Sequence, residues 1–467
     1  MGDTRIKVRR RRQLRQLMLV LGSCLVLYCL FFILKSPSSV SQFPVDDGAS
    51  PRLPWPWPLS GGSRRLSEEK LNNLSLGEAE CRATFPGLTT QIDEVVAQGP
   101  FTLKNTGDGG PLQGRIKDGH IYILHAQRKA DLSREMVNSR TSSLHQLHRA
   151  ILTSPAPLPD TVFTLNFQDQ PFGTAWTYSR QADPNMRPKD PNARSFLMPH
   201  FSFWAWDLPF IGSMSRATGA ITSIEQHETW SSKIPRAVWR GTAWYNSVHS
   251  PQLRQKLLAA TKNKPWADVQ SLQWTGRGDR DATNALPIEG FCRYRYVVHT
   301  EGVTYSGRFQ YHQMCASVVL TPPINWLQHT THMVRPLFSS SMDLDNHPSG
   351  AKLKGLWITD RHRRTWPVQY PPDQANIIFV APDWSDLGET IAWLEDHPRV
   401  AEGIARRQRE LFVGGGYFSP AAEACYWRAL MRGWASVASV NKTAVDEGRW
   451  AEREGVRYEE FTLSNGD

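Results

Sequence analysis

No other stretch constrains the fold as tightly as Phe291 to Trp326, FCRYRYVVHTEGVTYSGRFQYHQMCASVVLTPPINW. Within it a strand, a glycine-punctuated loop, a helix start and a second strand follow one another without a gap. Tyr294 to Thr300 is rich in β-branched and aromatic residues, Gly302 and Gly307 bracket a turn, and Ser306 is placed to cap a short helix whose Tyr311, Met314 and Cys315 share one side. Ser317 to Leu320 reads as the next strand, which makes the whole a βαβ unit of an α/β protein. A helix opened by Ser306 turns free N–H groups and its positive dipole end toward the loop. Arg308 in the first turn opposes that dipole, a cost of a few tenths of a kcal/mol unless an anion is present. A diphosphate fits such a place, although the loop is neither a Walker A sequence nor a GxGxxG, and a solvated arginine is the bland alternative.

Val303 to Phe309 (VTYSGRF), after a Cys-x-Tyr-x-Tyr strand and before Ser-Val-Val-Leu, resembles the signature of glycosyltransferase family 90, the protein O-glucosyltransferases and fungal capsule-associated xylosyltransferases. Trp230 to Gly241 (WSSKIPRAVWRG) resembles the family's Trp-x-x-Lys…Trp/Phe-Arg-Gly block. Phe201 to Trp206 (FSFWAW) resembles its aromatic block, and Asn166 to Pro171 (NFQDQP) its Asn-x-x-Asp-x-Pro segment. The blocks fall in the family's order over about residues 80 to 430. The resemblance implies two Rossmann-like domains of GT-B type facing a cleft, and an inverting, metal-independent transferase that uses a UDP-sugar. It implies Asp169 as general base. It also implies donor contacts at Ala205, Arg240, Gly241, Thr242, Arg254, Val303, Thr304, Tyr305, Ser306, Gly307 and Arg308. Ala205 has no polar side chain, so a contact there uses backbone, and the loop 243–251 is longer than in many members, which bears on Arg254.

The net charge of +10 over 467 residues is uneven. Residues 1–16 hold seven Lys/Arg and one acid, leaving 47 basic against 43 acidic residues elsewhere, a balance that argues against a nucleic-acid stripe. Leu17 to Leu34 is 18 uncharged residues directly after Arg9 to Arg12 and Arg15. At about 1.5 Å per residue it spans roughly 27 Å, which predicts one transmembrane helix in the bilayer with residues 1–16 cytosolic; a cleaved signal peptide is the alternative. Residues 35–66, with six prolines from Pro37 to Pro58, read as a stem. The globular part then divides into an acceptor domain over 67–225, a nucleotide-sugar domain over 226–400, helices packing back over 401–440, and a polar tail over 441–467. Cys81, Cys292, Cys315 and Cys425 lie in the lumen and allow three complete pairings. Asn73 and Asn441 stand in glycosylation sequons. No KDEL-type ending is present, so the Golgi is expected before the endoplasmic reticulum.

Along the globular part, Asp118-Gly119 marks a hairpin, Ser133 to Ile151 a helix, and Val162 to Phe167 a strand with Asp169 just past its end. Turns and helix caps use aspartate constantly, so that position alone is weak evidence for chemistry. Trp204 and Trp206 belong to a cluster that is either core or an acceptor-side surface for pyranose stacking. Ala237 to Arg240 reads as a strand and Leu253 to Ala260 as a helix. Asp383 to Ser385 caps a helix toward Glu395, Pro398 opens one whose Arg406, Arg407 and Arg409 form a solvated face, and Glu423 to Val437 is the last helix. His329 and His332 are read as surface residues rather than metal ligands.

Transfer from a UDP-sugar to a glycan or protein hydroxyl needs a base for the acceptor proton and cations for the leaving diphosphate. Asp169 with Arg254, Arg308 and the N–H groups after Ser306 supplies both, with no metal or other cofactor. Two rivals remain. Asp279-Arg280-Asp281 and Asp343-Leu344-Asp345 spell the Asp-x-Asp of a metal-dependent transferase, though neither follows an apolar strand. The 18 tryptophans also allow a non-catalytic carbohydrate-binding or scaffold protein.

Overall fold

A computed structural model describes residues 65–107, 110–186, 193–245, 247–276, 281–342, 357–440 and 449–464. The apolar stretch 17–34, the stem through residue 64, Asn441, Asp279 and the Asp343–Asp345 pattern lie outside the described residues. Among those described, no helix is long and apolar enough to cross a membrane.

Two six-stranded sheets carry residues 112–457. The first holds β1 (Leu112–Lys117), β2 (His120–His125), β3 (Thr161–Leu165), β4 (Ala175–Thr177) and β5 (Ser195–Leu197), in the order β2-β1-β3-β4-β5. β1 runs antiparallel to β2 and β3, while β3, β4 and β5 are parallel. The hairpin turns where the sequence expects it, because Asp118 and Gly119 take φ of 50° and 74°, the left-handed conformation that Asp and Gly tolerate best. Between β2 and β3 lies α1 (Arg134–Leu152), capped by the Ser133 hydroxyl.

The second sheet is parallel throughout: β6 (Ile234–Gly241), β7 (Ala267–Ser271), β8 (Tyr294–Val298), β9 (Val318–Thr321), β10 (Pro336–Phe338) and β11 (Ile377–Phe379), ordered β7-β6-β8-β9-β11-β10. Successive residues of its central strands feed two different cores. Val238, Val297 and Val319 join one core, whereas Trp239, Val298 and Leu320 join the other. Both faces are covered, as an all-parallel sheet requires. The first of these cores also contains Phe163, Leu165 and Trp176 of the first sheet, so apolar packing is continuous from one sheet to a face of the other. α2 (Leu253–Thr261) follows β6, and α3 (Phe309–Met314) follows β8.

Several expectations are corrected. Ser306 does not cap α3; the helix begins at Phe309 with Arg308 at its cap, because Gly307 is drawn into packing against His200 and Trp206 and the chain turns later. The helix after Asp383 begins at Leu387 behind Asp386, whose carboxylate takes the Ala381 N–H at 2.9 Å. In α4 (Pro398–Arg409) the arginines are not one solvated face. Arg407 donates to the Ala375 carbonyl at 2.8 Å and Arg409 to that of Met314, while Arg406 pairs with exposed Glu410. His329 is buried between Phe203 and Tyr426, and His332 Nε2 lies 2.9 Å from the Gly87 carbonyl, so neither is a surface loop residue.

α5 (Pro420–Val437) packs back on α1 and the first sheet, with Trp434 donating to the Val162 carbonyl at 2.7 Å. It is not the last element. Val456–Arg457 adds an edge strand beside β2 and Tyr458–Leu463 forms a further helix, anchored by buried Trp450, Tyr458 and Phe461 in a stretch expected to be polar tail. Disulfides join Cys81 to Cys425 and Cys292 to Cys315, one of the three pairings left open.

Candidate active site

The second sheet reverses its direction of winding at β6 and β8: from β6 the chain goes to β7 on one side, then crosses to β8 on the other. Loops after the carboxyl ends of two such strands splay apart and leave a crevice. Here those loops are 242–252 and 299–308, which are joined where the Val248 N–H donates to the Val303 carbonyl at 3.0 Å. The Asp169 loop reaches the same place from β3. The Thr304 hydroxyl donates to the Asp169 carbonyl at 2.8 Å, tying the two sheets' functional loops together.

Asp169 is presented by its own motif. Buried Asn166 accepts the Gln168 N–H and donates to the Gln170 carbonyl, both at 3.0 Å, so the turn around Asp169 is fixed from inside and the Asp169 side chain stays accessible to solvent. The surrounding protein raises its carboxyl above the ordinary range by limiting solvation and by the charge of Glu135. The Tyr305 hydroxyl and Arg254 oppose the rise. Because the side chain remains accessible, the rise is smaller than full burial would give.

Three arginines converge, and their roles differ. Arg240 is spent: its guanidinium pairs with Asp268 at 2.8 Å and donates to the carbonyls of Asn284 and Asp268, so its side chain does not face the crevice. Buried Arg254 donates to the carbonyls of Glu301 (3.2 Å) and Thr242 (2.9 Å), and Arg308 donates to that of Arg240. Neither Arg254 nor Arg308 has a carboxylate partner among the described residues. Burial pushes Arg254 down to about 9, helped by the charge of Arg308, and pushes Arg308 down to about 10. Two close, poorly solvated cations without acids are costly to keep together, and an anion between them removes the cost.

Gly241 and Gly307 admit this packing. A Cβ on Gly307 would lie 2.4 Å from His200 Cε1 and 3.0 Å from the Trp206 ring, and one on Gly241 would strike the Trp239 ring at 2.4 Å. Thr242 accepts from Trp274 Nε1 at 3.3 Å. Val303 and Ser306 are half-buried in the loop, and Ala205 lies opposite Ser213 in a short ribbon. Trp206 therefore packs on the Arg308 loop rather than standing free. Trp204 is 37% exposed, stacked on His145 at 5.0 Å with Arg149 over its ring. Asn73 is exposed.

Sequence reasoning missed five contributors. His200 and His299 are buried beside the loop, and burial pushes both down to about 3, so they add no charge. Glu301 accepts the N–H groups of Asn325 (2.8 Å) and Trp326 (2.9 Å) and so braces the loop from behind. Trp244 and Tyr245 pair at 4.2 Å, with Arg254 over the Tyr245 ring. All but His200 stood in segments that already drew attention, His299 and Glu301 in Phe291–Trp326 and Trp244 and Tyr245 in the loop 243–251. The Asp-x-Asp reading gains nothing, since Asp281 takes its neighbour's N–H at 2.8 Å. The one group of three potential metal ligands among the described residues, Glu225, Cys292 and Cys315, has both its thiols in a disulfide.

Residues 112–339, which include Asp169, Arg254 and Arg308, match the model of Glycosyl transferase family 90. Within that class the chain is similar to the O-glucosyltransferase rumi homolog of Anopheles gambiae, 23% identical over 329 residues, which are 67% of this chain and 68% of that protein. It is similar to O-glucosyltransferase rumi of Drosophila pseudoobscura pseudoobscura, 24% identical over 52% of this chain and 61% of the relative's length. Protein O-glucosyltransferase 1 of Bos taurus is 22% identical over 70% of this chain and 75% of its own.

Proposed function

We propose that this protein transfers a sugar from a UDP-sugar to a glycan or protein hydroxyl with inversion and without a metal, on a GT-B arrangement in which residues 67–225 offer the base and 226–400 the donor site. One observation carries the reading: Asp169 of one sheet is tied through Thr304 to the loop of Arg308, beside Arg254. Asp169 takes the acceptor proton as the acceptor oxygen bonds to the anomeric carbon, and the bond to the diphosphate breaks on the opposite face. Arg254 and Arg308 meet the charge that develops there, which is the service a divalent cation gives elsewhere. The relatives named O-glucosyltransferases favour glucose as the sugar, with xylose the alternative from the wider family.

The same reading places the enzyme in the lumen of the secretory pathway, held by residues 17–34, in the Golgi before the endoplasmic reticulum. The two disulfides agree with an oxidising lumen. The test is UDP release by the full chain given UDP-glucose or UDP-xylose with an acceptor glycoprotein, with and without EDTA. Release from one donor that survives EDTA is expected. Release that EDTA abolishes and Mn²⁺ restores overturns the metal-free assignment, and absence of both release and UDP binding overturns the function.

A further inference from the structure

Tyr305 holds a hydroxyl that packing does not need. Its ring is 6% exposed and lies against Tyr178 (centroids 6.1 Å apart) and His200 (5.4 Å), contacts that a phenylalanine would make equally well. The hydroxyl itself is enclosed and makes no hydrogen bond of ordinary geometry with a described residue. Its polar neighbours are already engaged. The Tyr178 hydroxyl lies 2.6 Å from Ser143 Oγ and donates to the Ser139 carbonyl at 3.2 Å, and His200 Nδ1 lies 2.7 Å from Ser202 Oγ.

What remains within reach is the Asp169 carboxylate, whose charge the Tyr305 hydroxyl stabilises. The two chains are held in register at that point by the bond from Thr304 to the Asp169 carbonyl. A buried donor kept unpaired beside an accessible carboxylate is costly unless the pairing is used.

We propose that Tyr305 is a positioning residue for the reaction: its O–H donates to the Asp169 carboxylate, turning that group toward the acceptor hydroxyl and keeping it ionised. This rests on the reading of Asp169 as base. The acceptor's proton goes to Asp169 and Tyr305 keeps its own, since burial and the nearby carboxylate hold the phenol well above its usual range. Tyr305 is therefore not a second base.

The test compares the full chain with Tyr305→Phe. Because the Tyr305 side chain is enclosed, a donor contact at this residue uses its backbone, and UDP affinity and melting temperature stay as in the wild type. Meanwhile kcat/KM falls about tenfold on the acidic side and only about threefold near pH 7.5, because the acidic limb moves to higher pH. ¹³C-carboxyl aspartate labelling, with the Asp169 signal assigned by its loss in Asp169→Asn, shows a higher titration midpoint in Tyr305→Phe. An identical midpoint in both proteins, or a loss that is the same at every pH, overturns the proposal. If Asp169→Asn transfers sugar at the wild-type rate, the base assignment fails instead, and the carboxyl titration still decides whether the hydrogen bond exists.

Discussion

The Asp169 loop and the Arg308 loop reach the same crevice by opposite means. The Arg308 loop hangs from an all-parallel sheet buried on both faces, and its residues are locked by glycine-dependent packing against His200 and Trp206. The Asp169 loop hangs from a mixed sheet, is held by Asn166 from inside and by Thr304 at the Asp169 carbonyl, and keeps its side chain accessible to solvent. The difference is what the proposed function asks of each. A cation clamp gains from a rigid, poorly solvated setting that magnifies its charge, whereas a base must exchange its proton with solvent and admit an acceptor.

The sharpest way to break this contrast is Asp169→Asn. It should lower kcat about 10³-fold or more while UDP binding, followed by calorimetry, stays within about twofold; weakened UDP binding would mean that the carboxylate also shapes the clamp. Next come the arginines. Arg308→Met and Arg254→Met should each weaken UDP binding about 10²-fold yet leave the melting temperature unchanged or raised, since each removes a poorly solvated cation that has no carboxylate partner among the described residues. Arg240→Met should do the reverse in kind, costing about 3–5 kcal/mol by stranding Asp268. Equal destabilisation by all three would erase the distinction between clamp and scaffold.

A smaller effect separates the loops by pH. Glu301, behind the Arg308 loop, is raised to about 7 by burial, above an unfolded value near 4.5. A group whose folded pKa is raised contributes fully below the unfolded value and loses that contribution as pH climbs through the folded one. Melting temperatures of wild type and Glu301→Gln should thus diverge between about pH 4.5 and 7, the wild type losing relative stability as pH rises. Activity at the Asp169 loop should run the other way, falling as pH drops through its raised carboxyl pKa, because the base works ionised.

The central strands of the parallel sheet were legible because they are rich in β-branched and aromatic residues, a pattern that follows from burial on both faces, whereas β7 and β10 were not read as strands. Asp169, Arg254 and the 303–308 loop were legible through motif and spacing, and the structure brings them together. Arg240 was not, since its partner Asp268 comes from a neighbouring strand that no local pattern links to it. Arg407 and Arg409 looked solvated for the same reason: their carbonyl partners at Ala375 and Met314 are distant in sequence. The C-terminal stretch looked polar because its apolar anchors, Trp450, Tyr458 and Phe461, are too sparse to show a period.

That returning C-terminus dictates an order of assembly. The all-parallel sheet is drawn from residues 234–379 alone and is complete once they have been made. The mixed sheet borrows its edge strand from Val456–Arg457 and leans on Trp434, and Cys81 waits 344 residues for Cys425. A chain made from its N-terminus therefore cannot complete the half that carries Asp169 until residues 425–457 have been made. The Cys81–Cys425 bond thus marks a chain in which the distant parts of that half have met.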